Sequence, residues 1–224
     1  MCAHPDLAAM RGVYARTGLD ETSIAADPLE QFGRWMQDAI AAGLPEPNAM
    51  VLATATTDGV PSARTVLLKG VDDRGFTFFT NTGSRKGAEL AANPQAALVF
   101  PWHALERQVR VTGPVSVVDR AEAADYFASR PHGSRLGAWA SPQSQVIGAR
   151  ADLDARLAEL AERWPEGVEV PLPDFWGGYR VAPQVIEFWA GREDRLHDRL
   201  RFRRAGDTAD QDAPEPWLLE RLAP

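Results

Sequence analysis

Apolar and polar positions change their period several times along the chain, and each change marks an element. From Asp27-Pro28 onward, Leu29, Phe32, Trp35, Met36 and Ile40 recur at helical spacing and form one apolar stripe. Asp27 as N-cap and Pro28 at the first helical position open that helix. Gly43 ends it, and Pro45 and Pro47 prevent its resumption. Residues 1–26 show no such period and read as a flexible N-terminal segment. From Ala49 the period falls toward two, and runs at 49–56, 61–69, 76–80, 96–102 and 108–118 predict strands. Thr57-Asp58-Gly59 is a hairpin turn signal, and the turn-rich 70–75 joins the second run to the third in a further predicted hairpin. Pro101 and Pro114 cannot donate to a ladder, which places them at edges or strand ends. Helical spacing returns at 84–92, stopped by Asn93-Pro94, and at 119–129, capped by Asp119. It returns again at 150–164 on Leu153, Leu157, Leu160 and Trp164. Pro131-His132-Gly133-Ser134 is expected to be a break, and 137–145 carries no assignable period. Residues 165–173 form a proline-punctuated loop. Strands are predicted at 179–181, 185–190, 196–203 and 217–222, with an acidic, apolar-poor surface loop over 205–216.

Antiparallel strands on short turns, with helices interspersed, favour a barrel or sandwich over a parallel α/β sheet. The expected fold is mainly β with α additions, as one domain over 27–224 behind the 1–26 segment. The 224 residues are 45% hydrophobic and 25% charged, which are ordinary globular values. A net charge of −7 argues against a general nucleic-acid binder, so any anion site must be local. The single cysteine, Cys2, excludes an intrachain disulfide framework and a Cys-based zinc site, which fits a reducing cytoplasm. Residues 1–16 lack the apolar core of a signal peptide, and no apolar run approaches ~18 residues, so no membrane span is expected. Rossmann, P-loop, zinc-protease and α/β-hydrolase motifs are absent.

Candidate chemistry concentrates in two places. Arg64-Thr65-Val66-Leu67-Leu68-Lys69 is a basic-flanked apolar run, and Phe79-Thr80 leads through Gly83-Ser84 into Arg85-Lys86 at a helix start. Cations in a first helical turn oppose the helix dipole, and an anion bound there would compensate them. In a regular strand Arg64 and Lys69 would point to opposite faces, ~16 Å apart along it. Either a long ligand lies along the strand, or these are two unrelated surface charges. The second place is Arg192–Leu200. As a strand it would put Arg195, His197 and Arg199 on one self-repelling face, which suits either an anionic ligand or a solvated surface. His132 reads as a turn residue, His103 as a strand-end residue, and Trp139, Trp176 and Trp189 as core aromatics, or as aromatics beside a basic face that pack on a ring system.

Several pieces in one order give a more specific signal. They are Arg64–Lys69, Thr80–Lys86, Phe100–Val109, Ser129-Arg130-Pro131, Gly137-Ala138-Trp139, Gln143-Ser144, Phe175–Tyr179 and Arg195–Arg199. With these the chain resembles the pyridoxamine 5′-phosphate oxidase family from Arg11 to the terminus. The resemblance implies an FMN-binding split β-barrel, antiparallel and Greek-key-like, as a homodimer with FMN at the subunit interface. It implies FMN contacts from Arg64, Thr65, Val66, Leu67, Leu68, Lys69, Phe79, Thr80, Arg85, Lys86, Gln108, Gln143, Ser144, Trp189 and Arg199. Substrate, as pyridoxamine or pyridoxine 5′-phosphate, is implied to meet Lys69, Tyr126, Arg130 and Ser134 at its phosphate. Arg195, Leu196 and His197 would lie at its ring, with Arg195 and His197 catalytic, O2 the acceptor, and Arg11 and Tyr14 in a lid. No metal, nucleic acid or membrane is implied. A non-catalytic flavin or pyridoxal-phosphate carrier on the same fold is the alternative. The acidic 207–216 insertion is the clearest departure from the family pattern.

Overall fold

The computed structural model describes residues 18–205 and 216–224; Cys2, Arg11, Tyr14 and most of the acidic loop lie outside that range. In chain order the elements are α1 (Pro28–Ala41), β1 (Ala49–Ala55), β2 (Pro61–Leu67), β3 (Gly70–Asp72), β4 (Gly75–Asn81), α2 (Arg85–Ala92), β5 (Gln95–Trp102) and β6 (Arg107–Val117). They continue with α3 (Arg120–Ser129), α4 (His132–Ala140), α5 (Arg150–Arg163), β7 (Trp176–Val181), β8 (Val185–Ala190), β9 (Asp198–Arg204) and β10 (Trp217–Arg221). The chain divides into two compact units. The first takes residues through 47, 100–110 and those from 185 onward, and the second takes 48–99 and 111–184.

In the first unit, the Asp27 carboxylate caps α1 by accepting from the backbone N–H groups of Leu29 (2.7 Å) and Glu30 (2.9 Å). The α1 stripe buries Phe32, Trp35 and Ala39. Phe32 meets Phe100 edge-on at 4.9 Å, and Trp35 meets Phe188 at 5.2 Å. Ile40, expected in that stripe, is 61% exposed, because Ala39 takes the inward position at the last turn. Antiparallel β9 lies between β8 and β10. Residues 18–26, expected to be loose, form turns that bury Leu19 and Ala25.

The second unit places β1 between β2 and β5, and β7 between β4 and β6, all antiparallel. Met50, Leu52, Phe76, Phe78 and Leu98 are fully buried there. Here the predicted hairpin of 61–69 with 76–80 is corrected. β2 pairs with β1 along its whole length, and the hairpin is β3 with β4, closed at Asp72 opposite Gly75. The chain changes ladders in one step: Leu68 N–H donates to Asn48 O (2.9 Å) and Lys69 N–H to Thr77 O (2.8 Å). Gly75 sits at φ +131°, a conformation that favours glycine.

Two further expectations are corrected. The 131–134 break and unassigned 137–145 stretch contain α4, which starts at once after Pro131. Ser134 and Arg135 N–H groups donate back to Pro131 O at 2.9 and 3.1 Å. Gly133 and Gly137 dilute its helical signature. The predicted 196–203 strand starts only at Asp198, because Glu193–Arg195 forms a tight 3-10 turn with Asp194 and Arg195 at φ 53° and 63°. Arg195, His197 and Arg199 therefore do not share a strand face.

Candidate active site

A cavity of about 640 Å³ opens in the second unit, within the usual size range of ligand sites. The end of β2 supplies Arg64, Thr65, Val66 and Leu67, and the ladder switch beyond it supplies Lys69. β4 supplies Phe79 and Thr80, and α2 supplies Lys86. Tyr126 comes from α3, Arg130 from the link to α4, Ser134 from α4, and Gln143 from the following loop. Arg64 and Lys69 thus line one cavity despite their odd spacing. The strand ends at Leu67, so its alternation does not carry through to Lys69. Leu68 is buried in the core instead. Arg85 and Ser144 are outside the lining, the first mostly exposed and the second at φ 72°. Trp176, weighed above as a ring contact, also lines the cavity, as do Asn81, Ser141 and Pro131, to which no residue pattern points as ligand contacts.

The electrostatics are uneven. Arg130 Nη1 is buried without a hydrogen-bond partner, and burial pushes this guanidinium below its ordinary pKa. Its Cζ lies 4.9 Å from the Trp176 ring centre and 5.5 Å from that of Phe127. Lys69 Nζ stands 5.9 Å from the Tyr126 ring centre. Lys86 Nζ donates to Gln143 Oε1 (2.6 Å) and Thr80 Oγ1 (3.1 Å). Its pKa is lowered, first by burial and then by the charge of Arg64. Phe79, Tyr126 and Trp176 lie nearly parallel in one cluster, with Phe79 4.2 Å from Tyr126 (17°) and 5.6 Å from Trp176 (5°), and the last two 6.1 Å apart. Gly178 is opposite Phe79 in the ladder, where a Cβ would come within 2.7 Å of the ring. Glycine there leaves room for the aromatic stack.

The remaining sequence candidates belong to the first unit, and none of Gln108, Trp189, Arg195, Leu196, His197 or Arg199 lines this cavity. Trp189 and His197 are in ring contact at 4.6 Å. Arg192 N–H donates to His197 Nδ1 at 3.1 Å, which leaves Nε2 as the protonated nitrogen of the neutral ring. Arg199 Nε donates to Glu187 Oε1 at 2.8 Å, and this bond raises the arginine's pKa. Arg195 is exposed and has no ion-pair partner among the described residues. Among those residues no His, Cys, Asp and Glu group could hold a metal ion, and no helix is long and apolar enough to cross a membrane.

A half-buried guanidinium whose Nη1 lacks an acceptor, two lysines and a stacked aromatic wall could suit a planar ligand carrying a phosphate. The architecture and cavity thus define an antiparallel β protein with a cationic, aromatic-lined cavity. The chain belongs to the pyridoxamine 5′-phosphate oxidase family, a family of enzymes. Residues 36–163 match the pyridoxamine 5′-phosphate oxidase model, and residues 176–224 match the pyridoxine 5′-phosphate oxidase C-terminal dimerisation region. A pyridoxine/pyridoxamine 5′-phosphate oxidase of Rubrobacter xylanophilus is 60% identical over 99% of this chain and 98% of its own length. One from Burkholderia multivorans is 56% identical over 97% and 99%. PhzG from Burkholderia lata, solved with tetrahydrophenazine-1-carboxylic acid, has a TM-score of 0.85 at 33% identity, covering 95% of this chain and 100% of its own. A pyridoxamine 5′-phosphate oxidase-related, FMN binding protein of Nostoc punctiforme has a TM-score of 0.68 at 17% identity, covering 90% and 100%. That likeness establishes the split-barrel fold.

Proposed function

We propose that this chain is an FMN-dependent oxidase of pyridoxamine 5′-phosphate and pyridoxine 5′-phosphate. The alcohol and O2 give pyridoxal 5′-phosphate and H2O2; the amine, O2 and water give the same products with ammonia. The observation that carries this reading is the buried Nη1 of Arg130, which has no hydrogen-bond partner, in a cavity shared with Lys69, Tyr126 and Ser134. A cation desolvated without an acceptor is unfavourable unless a ligand supplies the anion.

The residues present fit FMN. Arg64, Arg85 and Lys86 supply positive charge for its phosphate, and Thr65–Leu67 supply β2 backbone for its length. When bound, FMN supplies a two-electron acceptor that O2 can reoxidise. The chain's own residues then do the positioning. Arg130, Lys69, Tyr126 and Ser134 hold the substrate phosphate, which converts remote binding energy into orientation of the reacting carbon. Arg195 and His197 meet the pyridine ring. His197 Nε2–H, fixed by the Arg192 N–H on its other nitrogen, donates toward the ring oxygen and holds the proton there. The active form is a homodimer with the cofactor at the subunit interface, in the cytoplasm, and Arg11 and Tyr14 serve as a lid.

The test is an absorption spectrum of the purified protein followed by a peroxide assay with each phosphate ester. Flavin bands and peroxide are expected. A colourless protein that neither takes up FMN nor turns over would sink the reading. A flavin-loaded protein without turnover would make the chain a carrier.

A further inference from the structure

Glu89 lies on α2, one turn beyond Arg85, and belongs to no motif that marks the site. Its side chain is only 5% exposed, yet it is charged. Oε1 accepts from Arg85 Nε at 2.8 Å. Oε2 accepts from Thr54 Oγ1 (2.5 Å), Ser62 Oγ (2.6 Å) and Arg64 Nη2 (3.3 Å). Burial alone would raise its pKa, but the bonds from Ser62, Thr54, Arg85 and Arg64 outweigh that and hold it at about 2. One carboxylate therefore ties together β1, β2 and α2.

A negative charge beside a proposed phosphate site weakens anion binding directly. What the geometry offers in return is order. Arg85 is gripped at Nε alone, which leaves both terminal guanidinium nitrogens without partners among the described residues. Arg64 Nη1 is held by Thr54 Oγ1 at 2.5 Å, and Nη2 is also bonded to Ser62 Oγ. Without the carboxylate, Arg64, Arg85 and Lys86 would repel one another. Arg85, mostly exposed, would lose its one fixed point.

We propose that Glu89 is a positioning residue for the cofactor phosphate: it fixes Arg64 and Arg85 so that the chain selects FMN over riboflavin. This role rests on the FMN reading above. The carboxylate has no contact with the phosphate itself. It trades some attraction for two guanidiniums ordered before the ligand arrives.

The experiment titrates flavin-stripped full-length protein with FMN and separately with riboflavin, following the quenching of flavin fluorescence. Wild type is expected to prefer FMN strongly. Glu89→Gln keeps the side-chain shape but places an amide donor among the guanidiniums. It should lose at least tenfold in FMN affinity while riboflavin affinity stays within about twofold. General loosening of the fold would weaken both flavins alike and leave their ratio unchanged. Ser62→Ala removes one donor to the same oxygen, and a smaller fall in the ratio, about threefold, is expected. If Glu89→Gln does not fold, the Ser62→Ala ratio decides. A wild-type ratio in Glu89→Gln, or in Ser62→Ala as that substitute, overturns the role of Glu89 and leaves FMN binding intact. A wild type that does not distinguish the two flavins overturns the FMN reading itself, and this role with it.

Discussion

In the sheet of the first unit, three carboxylates each serve two arginines. Glu187 holds Arg110 and Arg199, Glu220 holds Arg201 and Arg203, and Asp198 holds Arg192 and Arg221. In the cavity of the second unit, Arg130 and Lys69 have no carboxylate partner among the described residues, where Lys86 is hydrogen-bonded only to neutral oxygens. Among the described residues Arg64 alone of the lining cations has a carboxylate, Glu89, which it shares with Arg85 outside the lining. Paired charges that remain partly exposed add little to stability, ~1 kcal/mol or less each, but they fix side chains. A buried cation without a partner opposes folding and becomes favourable only when a ligand brings the counter-charge. The first arrangement is built for rigidity and the second for affinity. The net charge of −7 gives no hint of the difference.

The contrast can be broken from either side. Arg195→Leu removes a cation that no carboxylate among the described residues engages, so under the proposed function its effect falls on the reaction. Turnover should fall roughly 10²–10³-fold while FMN affinity is unchanged, as read by steady-state kinetics and flavin titration. Arg130→Ala should raise KM for the phosphorylated substrate about 100-fold, ~2.7 kcal/mol, with little change in Tm, because the relief of an unbonded buried Nη1 offsets the lost packing on Trp176 and Phe127. A large fall in Tm instead would mean that Arg130 is structural.

Asp198→Ala should behave in the opposite way. It strips acceptors from Leu19 N–H (2.9 Å), Arg192 Nε (2.6 Å) and Arg221 Nη1 (2.7 Å). A loss of ~2 kcal/mol is expected, lowering Tm by about 4–8 °C in calorimetry, with FMN affinity unaltered. The smallest effect concerns pH. Glu89 has a folded pKa of about 2 against an ordinary 4.5, so its contribution is complete above pH 4.5 and is lost as pH falls toward 2. The groups facing it are Arg64, Arg85 and Lys86, all cationic throughout that range. The stability gap between wild type and Glu89→Gln, from urea denaturation at pH 7, 5 and 3.5, should therefore narrow at the lowest pH. A gap that widened there would contradict the assignment.

Local signals made much of the fold legible. Asp27 and Asp119 cap the helices they were expected to cap, since an acceptor before an apolar stripe is a short-range feature, whereas Ser84, read as the first residue of its helix, is that helix's cap. Period-two alternation located β1 and β5 almost to the residue, and a short apolar run located β8. The ladder switch between Leu68 and Lys69 was not legible, because its partners, Asn48 and Thr77, sit on opposite sides of it in the sequence. Nor was the 193–195 turn, where non-glycine residues adopt positive φ against local preference. For the site, basic residues and family motifs pointed to the cations. The carboxylates that order some of them were invisible. Glu89 has i,i+4 spacing to Arg85, which usually marks an exposed helix pair, and nothing local shows that Thr54, Ser62 and Arg64 converge on it.

The most direct test of the central claim, that this cavity keeps its cations for a ligand's phosphate, compares two substrates on the FMN-loaded protein. Pyridoxamine 5′-phosphate and pyridoxamine differ only by that group, and aldehyde formation can be followed by absorbance. The account predicts a kcat/KM at least ~100-fold higher for the phosphate ester, a preference that Arg130→Ala largely abolishes. Equal turnover of the two compounds by the wild-type protein would contradict it.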